Sequence, residues 1–278
     1  MTLPPQVVPQ AEESAVVNRL RAAGCVFAED EARLLMAAAD TPTELESMVR
    51  RRVAGLPLEH ILGWAEFCGL RIAVDAGVFV PRRRTEFLVR QAAALIRKAA
   101  DPVGHPPTQP RPVVVDMCCG SGVVGAALAA AVAGVELYAA DIEPAAVRCA
   151  RRNVAAAGGQ VFEGDLFRPL PASLRGRVDI LVANAPYVPS GEIRLMPPEA
   201  RLHEPRVTLD GGAEGLDIQR RVAAAAPVWL APGGHVLVET SGHQAPATVE
   251  IFARNGLAPR VVSSEELDAT VVIGTVPP

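Results

Sequence analysis

The stretch VVVDMCCGSGVVGAALAAAVAGVELYAAD, from Val113 to Asp141, decides the fold class of this chain of 278 residues. It begins with an apolar run, turns at glycines, continues through small apolar residues and ends in a second apolar run. Apolar runs without alternation predict strands that are buried on both faces, and the Ala-rich segment between them predicts a helix. The stretch therefore predicts a strand, a helix and a strand of a parallel sheet.

The same pattern continues to the end of the chain. Alternating strands and helices predict the α/β class, with a doubly wound, mostly parallel sheet covered by helices on both faces. Ligands of such sheets bind outside the carboxyl ends of the strands. The strands are expected in VVVDMC, VELYAADI, QVFEGD, VDILVAN, GHVLVETS and ATVVIGTVP.

The region before this sheet has a different organisation. Residues 1–62 are predicted to form a helical domain, whose third helix is expected from the cap residues Thr41, Pro42 and Glu44. Residues 63–84 are rich in Gly, Val and aromatic residues and predict a β-hairpin connector. A helix from about Thr85 then begins the domain of residues 85–278, and a Pro-rich loop follows that helix at residues 101–112.

Composition narrows the class of protein. Hydrophobic residues make up 50% of the chain and charged residues 21%, which is typical of a globular protein. The net charge of -4 argues against general affinity for nucleic acid, although Arg50 to Arg52 and Arg82 to Arg84 are locally basic. We expect a monomer that does not bind nucleic acid directly.

Cysteine usage and hydropathy indicate the compartment. The five cysteines include the adjacent pair Cys118 and Cys119 but no C-x-x-C, so we expect a reduced cytoplasmic protein without a metal site. The first residues lack the layout of a signal peptide. The uncharged stretch 117–135 is long enough for a bilayer, but it is made of weakly inserting Ala, Gly and Val and begins with a glycine turn. We therefore expect no membrane span.

The glycine turn after the first strand of the sheet predicts a nucleotide site. Gly120 to Gly125 fits G-x-G-x-x-G, and Asp141 follows about twenty residues later, which is the dinucleotide fingerprint. The same residues suit S-adenosylmethionine, and Asp116 before the turn fits a cationic methionine end better than an anionic pyrophosphate. We therefore favour the methyl donor over NAD and over a turn without a ligand. Asp165, which ends the third strand, would border the adenine or lie in solvent.

The tetrapeptide Asn184-Ala185-Pro186-Tyr187 ends the fourth predicted strand. The side-chain oxygen of Asn184 and the carbonyl oxygen of Ala185 are acceptors for a planar –NH2 group. Pro186 restricts Ala185 to an extended conformation, and Tyr187 offers a flat face beside such a group. These residues predict a clamp for an amide nitrogen, whereas a plain turn at the strand end is the alternative.

Several longer segments match one known family. Asn184 to Tyr187 corresponds to its Asn-Pro-Pro-Tyr, residues 58–86 are similar to its connector into Pro-Arg-Pro-x-Thr-Glu, and residues 195–217 are similar to its loop after the tetrapeptide. APGGHVLVETSGHQ, residues 231–244, is similar to its fifth strand. Over nearly the whole chain the sequence thus resembles the N(5)-glutamine methyltransferases that modify peptide chain release factors, and their ribosomal-protein relatives.

The resemblance implies a fold, a reaction and a set of roles. It implies a Rossmann-like class I methyltransferase with a seven-stranded sheet, a small N-terminal helical domain that docks a release factor, and S-adenosylmethionine as cofactor. Asn184 to Tyr187 would hold the glutamine amide of the Gly-Gly-Gln loop. The expected cofactor-binding residues are Asp116, Cys118, Cys119, Gly120, Ser121, Gly122, Asp141, Asp165, Leu166 and Asn184.

The chain departs from the family pattern at a few of these positions. Ala185 stands in place of the first Pro, and Cys118 in place of the first glycine of the turn. Arg83 and Arg84 replace a Pro-Asp pair, and Ser241 stands where a glycine follows Glu239. These changes indicate a divergent paralogue and bear on the substrate more than on the reaction.

Three other functions remain open at the level of sequence. An N-methyltransferase of a small molecule or a nucleobase amine would use the same clamp. A non-catalytic binding protein would tolerate loss of Asn184. An NAD oxidoreductase would need an acid-base group, and its candidates are His60, His203, His235 and His243, none of which lies in a recognisable motif.

Overall fold

The computed structural model describes residues 10–100 and 111–277, and the predicted Pro-rich loop lies mostly outside these ranges. The described helices are α1 Gln10–Ala22, α2 Ala28–Ala38, α3 Pro42–Val53, α4 Leu58–Leu62, α5 Glu86–Ala100, α6 Val123–Ala131, α7 Pro144–Val154, α8 Pro198–His203, α9 Asp217–Trp229 and α10 Ala245–Arg254. The described strands are β1 Trp64–Phe67, β2 Leu70–Ala73, β3 Val113–Met117, β4 Glu136–Asp141, β5 Gln160–Glu163, β6 Val178–Ala183, β7 Leu230–Thr240, β8 Ala258–Ser264 and β9 Ala269–Thr275.

The main sheet has seven strands in the order β5-β4-β3-β6-β7-β9-β8. Neighbours from β5 to β7 are parallel, whereas β9 is antiparallel to both β7 and β8. The predicted class, a doubly wound and mostly parallel seven-stranded sheet, is confirmed. Strand order reverses between β3 and β6, where Met117 pairs with Ala183. The segments that follow these two strands therefore leave the same edge of the sheet side by side, which is where such sheets bind ligands.

Burial on both faces explains why the central strands are mostly apolar. All five residues of β3 are buried. Val114 packs into the cluster on the side of α5, α6 and α7, while Val113 and Val115 pack into the cluster on the side of α9 and α10. Because successive side chains of a strand point to opposite faces, a strand between two helical layers needs apolar residues at every position.

The N-terminal helices have a small core of their own. Val16, Leu20, Leu35 and Val49 lie at its centre and are almost fully buried. The predicted cap of α3 is present, because the hydroxyl of Thr41 accepts a hydrogen bond from the N–H of Glu44 at 3.2 Å. The connector that follows contains the predicted hairpin, with β1 and β2 antiparallel.

Two features differ from the sequence expectation. Strand β8 was not among the six strands predicted from the pattern. Each of its residues is exposed or half-buried at the edge of the sheet, so it carries no buried apolar run. Strand β7 begins at Leu230, earlier than the predicted GHVLVETS, and Leu230 pairs with Val178 of β6 before a shift in register.

The uncharged stretch 117–135 is not a single helix. It includes Met117 at the end of β3, the glycine turn and the nine residues of α6. In the ranges 10–100 and 111–277, no helix has the length and apolarity that a membrane span requires.

Candidate active site

A cavity of about 300 Å³ opens where β3, β4 and β6 end. Its walls come from the glycine turn, the segment after β5, the tetrapeptide after β6, the connector before α5 and the loop after the tetrapeptide. The predicted site residues that line it are Asp116, Cys118, Cys119, Gly120, Ser121, Asp141, Asp165, Leu166, Asn184, Ala185, Pro186 and Tyr187.

Two carboxylates hold the glycine turn in place. Asp116 is buried and accepts a hydrogen bond from the N–H of Gly125 at 2.8 Å, in the first turn of α6. Burial, together with the nearby charge of Asp141, raises the pKa of the Asp116 carboxyl to about 8 despite this hydrogen bond. A buried carboxyl of this kind favours a cationic partner, since a cation would stabilise its charged form.

Asp141 ties the turn to the end of β4. One of its oxygens accepts from the N–H of Gly120 at 2.8 Å and the other from the N–H of Glu143 at 2.9 Å. Burial raises the pKa of Asp141, and these two hydrogen bonds lower it. The residue thus both supports the turn and borders the cavity, whereas Glu143 occupies the N-cap position of α7.

The two glycines of the turn have different surroundings. Both have positive φ, +53° at Gly120 and +74° at Gly122. A Cβ atom at Gly120 would meet nothing within 4 Å, so a ligand can approach the backbone there. A Cβ at Gly122 would lie 2.9 Å from the Cβ of Ala150 in α7. Gly122 is the one predicted cofactor residue that does not line the cavity, and it serves helix packing instead.

The segment after β5 closes one side of the cavity. Asp165 accepts hydrogen bonds from Arg221 of α9 at 2.6 and 2.7 Å, so it is an ordered wall residue and not a free surface acid. Leu166 has a φ of +49° and contributes an apolar side chain to the same wall. Cys118 also has a positive φ, +57°, at the position where a glycine would carry no strain.

Distant residues orient the tetrapeptide. The side-chain N–H of Asn184 donates to the hydroxyl of Thr85 at 3.3 Å, which leaves the amide oxygen of Asn184 as an acceptor. Ala185 is 1% exposed, and among residues 10–100 and 111–277 no backbone N–H donates to its carbonyl oxygen. The hydroxyl of Tyr187 donates to Glu239 at 3.5 Å. Burial, together with the charge of Glu239, raises the pKa of Tyr187 to about 12, so the phenol stays neutral.

The loop that follows the tetrapeptide folds back against it. The N–H of Val188 donates to the carbonyl of Leu209, and the N–H of Gly211 donates to the carbonyl of Val188. The side-chain amide of Gln244 donates to the carbonyl oxygens of Tyr187 and Glu214, both at 2.9 Å. The tetrapeptide is therefore held between the sheet and this loop.

Several residues around the tetrapeptide had no role assigned from sequence. In the sequence, Thr85 belongs to the family-like segment 58–86, and Glu239 and Gln244 belong to the family-like segment 231–244. Arg84 lines the cavity and lies 3.6 Å from the buried carboxylate of Glu239. Arg82 lines it too and forms an ion pair with Glu204 at 2.6 Å. Only the folded chain brings these residues together, since most of them are more than fifty positions apart.

None of the histidines considered for acid-base chemistry lines the cavity. His60 is buried, and its ring is hydrogen-bonded to the carbonyl of Val78 at 2.8 Å. His235 interacts with the hydroxyl of Thr275 at the opposite edge of the sheet. These contacts are structural and give no support to a dehydrogenase.

The cavity fits S-adenosylmethionine. Gly120 allows close approach to the backbone, Asp141 offers a carboxylate for a ribose, and Asp116 offers a buried acid for an ammonium group. A further acid, Glu143, lines the cavity beside Asp141, which disfavours an anionic pyrophosphate at this position. When bound, this cofactor supplies an electrophilic methyl group.

Comparison with known proteins agrees with this geometry. The model of the methyltransferase small domain matches residues 103–204. The release factor glutamine methyltransferase of Geobacter sulfurreducens is 38% identical over 220 residues, which are 77% of this chain and 72% of that protein. The 4-amino-L-phenylalanine/4-methylamino-L-phenylalanine methyltransferase of Streptomyces pristinaespiralis is 35% identical over 223 residues, 79% of this chain and 73% of that protein.

A solved structure agrees at the level of the fold. A 16S rRNA methyltransferase of Thermus thermophilus, in complex with AdoMet and guanosine, superposes with a TM-score of 0.50 at 19% identity. The match covers 77% of this chain and 49% of that one. The relatives decide the family, because two of them are 38% and 39% identical over more than two thirds of both chains. The chain belongs to the release factor glutamine methyltransferase family and is an S-adenosylmethionine-dependent protein-glutamine methyltransferase.

Proposed function

We propose that the acceptor is the side-chain amide nitrogen of the glutamine in the Gly-Gly-Gln loop of a peptide chain release factor. The observation that carries the proposal is the tetrapeptide, which lies beside the glycine turn and lines the same cavity. Its two free acceptors match the two hydrogens of a primary amide. The names of the relatives support the choice of protein.

The roles of the individual residues follow from the geometry. The side-chain oxygen of Asn184 and the carbonyl of Ala185 accept one hydrogen each from the glutamine –NH2 group, while Tyr187 covers its plane. Asp116, Asp141 and the backbone of Gly120 hold the cofactor, with Cys118, Cys119, Ser121, Asp165 and Leu166 as the remaining walls.

This arrangement explains how a weak nucleophile reacts without a charged base. The lone pair of an amide nitrogen is delocalised, so the nitrogen must be held in line with the methyl carbon. Asn184 and the Ala185 carbonyl would fix this position and stabilise the positive charge that develops on the nitrogen as the N–C bond forms and the bond from the methyl carbon to the sulfonium sulfur breaks, which leaves a neutral thioether. The nitrogen then loses one proton to water. Since Tyr187 is neutral and Asn184 has no charge, no residue of the clamp has to change its protonation state.

We further propose that residues 1–62 form the substrate-docking domain, residues 63–84 the connector and residues 85–278 the methyltransferase domain. The helical part is linked to the cavity loop through Arg52. Its guanidinium is 10% exposed and binds Glu31 at 2.6 Å and Glu199 of α8 at 3.1 Å. A protein docked on the helices would thus lie next to the cavity mouth. Release factors act in the cytoplasm, where we place the enzyme, and it would work as a monomer.

The test is methylation of purified release factors with S-adenosylmethionine carrying a labelled methyl group, followed by peptide mass analysis. We expect a mass increase of one methyl group on the Gly-Gly-Gln glutamine, with a Gly-Gly-Glu variant of the release factor as the unreactive control.

The same experiment includes 4-amino-L-phenylalanine, because one relative acts on that amine according to its name. Methylation of this amine without any methylation of the release factor would overturn the proposed acceptor. Methylation of other glutamines at an equal rate would show that the Gly-Gly-Gln context is not recognised.

A further inference from the structure

Thr85 occupies a central place beside the clamp. It ends the short 3-10 turn of residues 83–85 that precedes α5, and its side chain is 1% exposed. It lines the cavity, and its hydroxyl oxygen lies 3.3 Å from the side-chain nitrogen of Asn184, which is 99 positions away. The contact joins the connector to the end of β6.

A buried carboxyl group, that of Glu239, lies beside Thr85. This carboxylate is 2% exposed and is approached by the hydroxyl groups of Thr85 and Tyr187 and by the guanidinium of Arg84. The side-chain N–H of Asn184 donates to the Thr85 oxygen at 3.3 Å, and because a hydroxyl has one proton, that proton is free to turn toward Glu239.

The orientation of the Asn184 amide matters for the reaction. Rotation by half a turn about its terminal bond exchanges the oxygen for the –NH2 group with little change in shape. In one orientation Asn184 offers an acceptor to the substrate –NH2 group, and in the other it offers a donor that repels it. The hydroxyl of Thr85 favours the first orientation, because only the nitrogen of Asn184 has a proton to donate to it.

We propose that Thr85, held by Glu239, is a positioning residue for methyl transfer, which keeps the Asn184 oxygen facing the acceptor nitrogen. The inference rests on the proposed function, since it assigns Asn184 the role of acceptor for a primary amide. Thr85 itself does not touch the substrate in this role. Its effect is therefore on the turnover of a correctly bound substrate and not on the binding of cofactor.

The test compares Thr85→Val, which keeps the shape and removes the hydroxyl, with Thr85→Ser, which keeps the hydroxyl. Thr275→Val is the matched control, because it removes a hydroxyl bonded to His235 at the opposite edge of the sheet. In Thr85→Val we expect kcat for the release factor to fall about tenfold or more, the loss that one hydrogen bond in the transition state accounts for. KM and the Kd of S-adenosylhomocysteine should stay within about threefold. Thr85→Ser should restore most of kcat, and Thr275→Val should retain it.

A second readout needs no acceptor. In the S-adenosylhomocysteine complex, the side-chain amide resonances of Asn184, assigned by comparison with Asn184→Ala, should shift in Thr85→Val and return in Thr85→Ser. A kcat for Thr85→Val within twofold of the wild type would overturn the inference, and so would failure of Thr85→Ser to restore it. If the wild-type enzyme leaves release factors unmethylated, the proposed acceptor is wrong, and unmoved Asn184 resonances in Thr85→Val would then overturn the role of Thr85.

Discussion

The cofactor turn after β3 and the tetrapeptide after β6 lie side by side at one edge of the sheet, yet they are held in different ways. The turn is stabilised by residues at intermediate distances in sequence, such as Asp116, nine positions before Gly125, and Asp141, 21 positions after Gly120. The tetrapeptide is stabilised by Thr85, Glu239 and Gln244, which are between 52 and 99 positions away.

This difference matches the chemistry of the two sites. A cofactor site must present backbone and charge, which a glycine-rich turn and the acids at the ends of the neighbouring strands supply together. A clamp for a neutral amide must present uncharged acceptors at fixed positions. Such acceptors need rigid support from outside, because a misplacement of about 1 Å costs roughly a hundredfold in rate.

The largest effect is expected for Asn184→Ala, which removes an acceptor of the clamp. Methyl transfer to the release factor should fall by about a thousandfold, the upper range for loss of one group that stabilises developing charge. If the two sites are as separate as their supports suggest, the Kd of S-adenosylhomocysteine should rise by less than about fivefold. Single-turnover kinetics and calorimetry measure the two quantities, and a loss of cofactor binding as large as the loss of rate would contradict the separation.

A second test disrupts the contacts between the tetrapeptide and the loop that follows it. Gly215 has a φ of +74°, and a Cβ atom there would lie 2.2 Å from the carbonyl oxygen of Tyr187 and 2.4 Å from the side-chain nitrogen of Gln244. Gly215→Ala should therefore displace the tetrapeptide and lower kcat by about a hundredfold.

The matched control is Gly256→Ala. Gly256 has a φ of +77°, but a Cβ there would meet nothing within 4 Å. The backbone strain is thus similar, about 1–2 kcal/mol in the free energy of unfolding, while the clamp is untouched. Equal kcat values for the two variants would show that the loop does not support the clamp.

The difference in support between the turn and the tetrapeptide also explains which features can be predicted from the sequence. The alternation of apolar runs and helices predicts the sheet, and the turn is legible because Asp116, Gly120 and Asp141 lie at fixed spacings. The polar edge strand β8 has no such pattern and was missed. The supports of the tetrapeptide were missed as well, because Thr85, Glu239 and Gln244 become neighbours only when α5, β7 and α10 pack around β6. Even within the turn, the pattern did not distinguish Gly120, which faces the cavity, from Gly122, which faces α7.

The third prediction concerns charge, which the turn has and the tetrapeptide lacks. With a pKa of about 8, the buried carboxyl of Asp116 is mainly protonated below that pH in the free enzyme. If it binds the ammonium group of the cofactor in its ionised form, binding releases a proton, and the affinity falls as the pH falls. The Kd of S-adenosylhomocysteine should rise by up to about tenfold for each pH unit below 8.

Asp116→Asn should bind more weakly and lose this pH dependence. Calorimetry in buffers of different ionisation enthalpy measures the released proton directly. A wild-type affinity that is constant between pH 6 and pH 8 would contradict the role of Asp116 as the partner of the cation.

The smallest effects separate two positions within the turn itself. Gly120→Ala and Gly122→Ala introduce the same methyl group at similar positive φ, so their backbone strain is comparable. The new methyl group at Gly122 would press on Ala150 at 2.9 Å, whereas at Gly120 it would project into open space beside the cavity.

We expect Gly122→Ala to lower the free energy of unfolding by about 1–3 kcal/mol more than Gly120→Ala does, because the added methyl group overpacks the contact between α6 and α7. Gly120→Ala should weaken S-adenosylhomocysteine binding the more, because its methyl group occupies space that the ligand needs. Denaturant unfolding and calorimetry on the two variants measure both quantities. The opposite ranking in either measurement would mean that Gly122, and not Gly120, faces the cofactor.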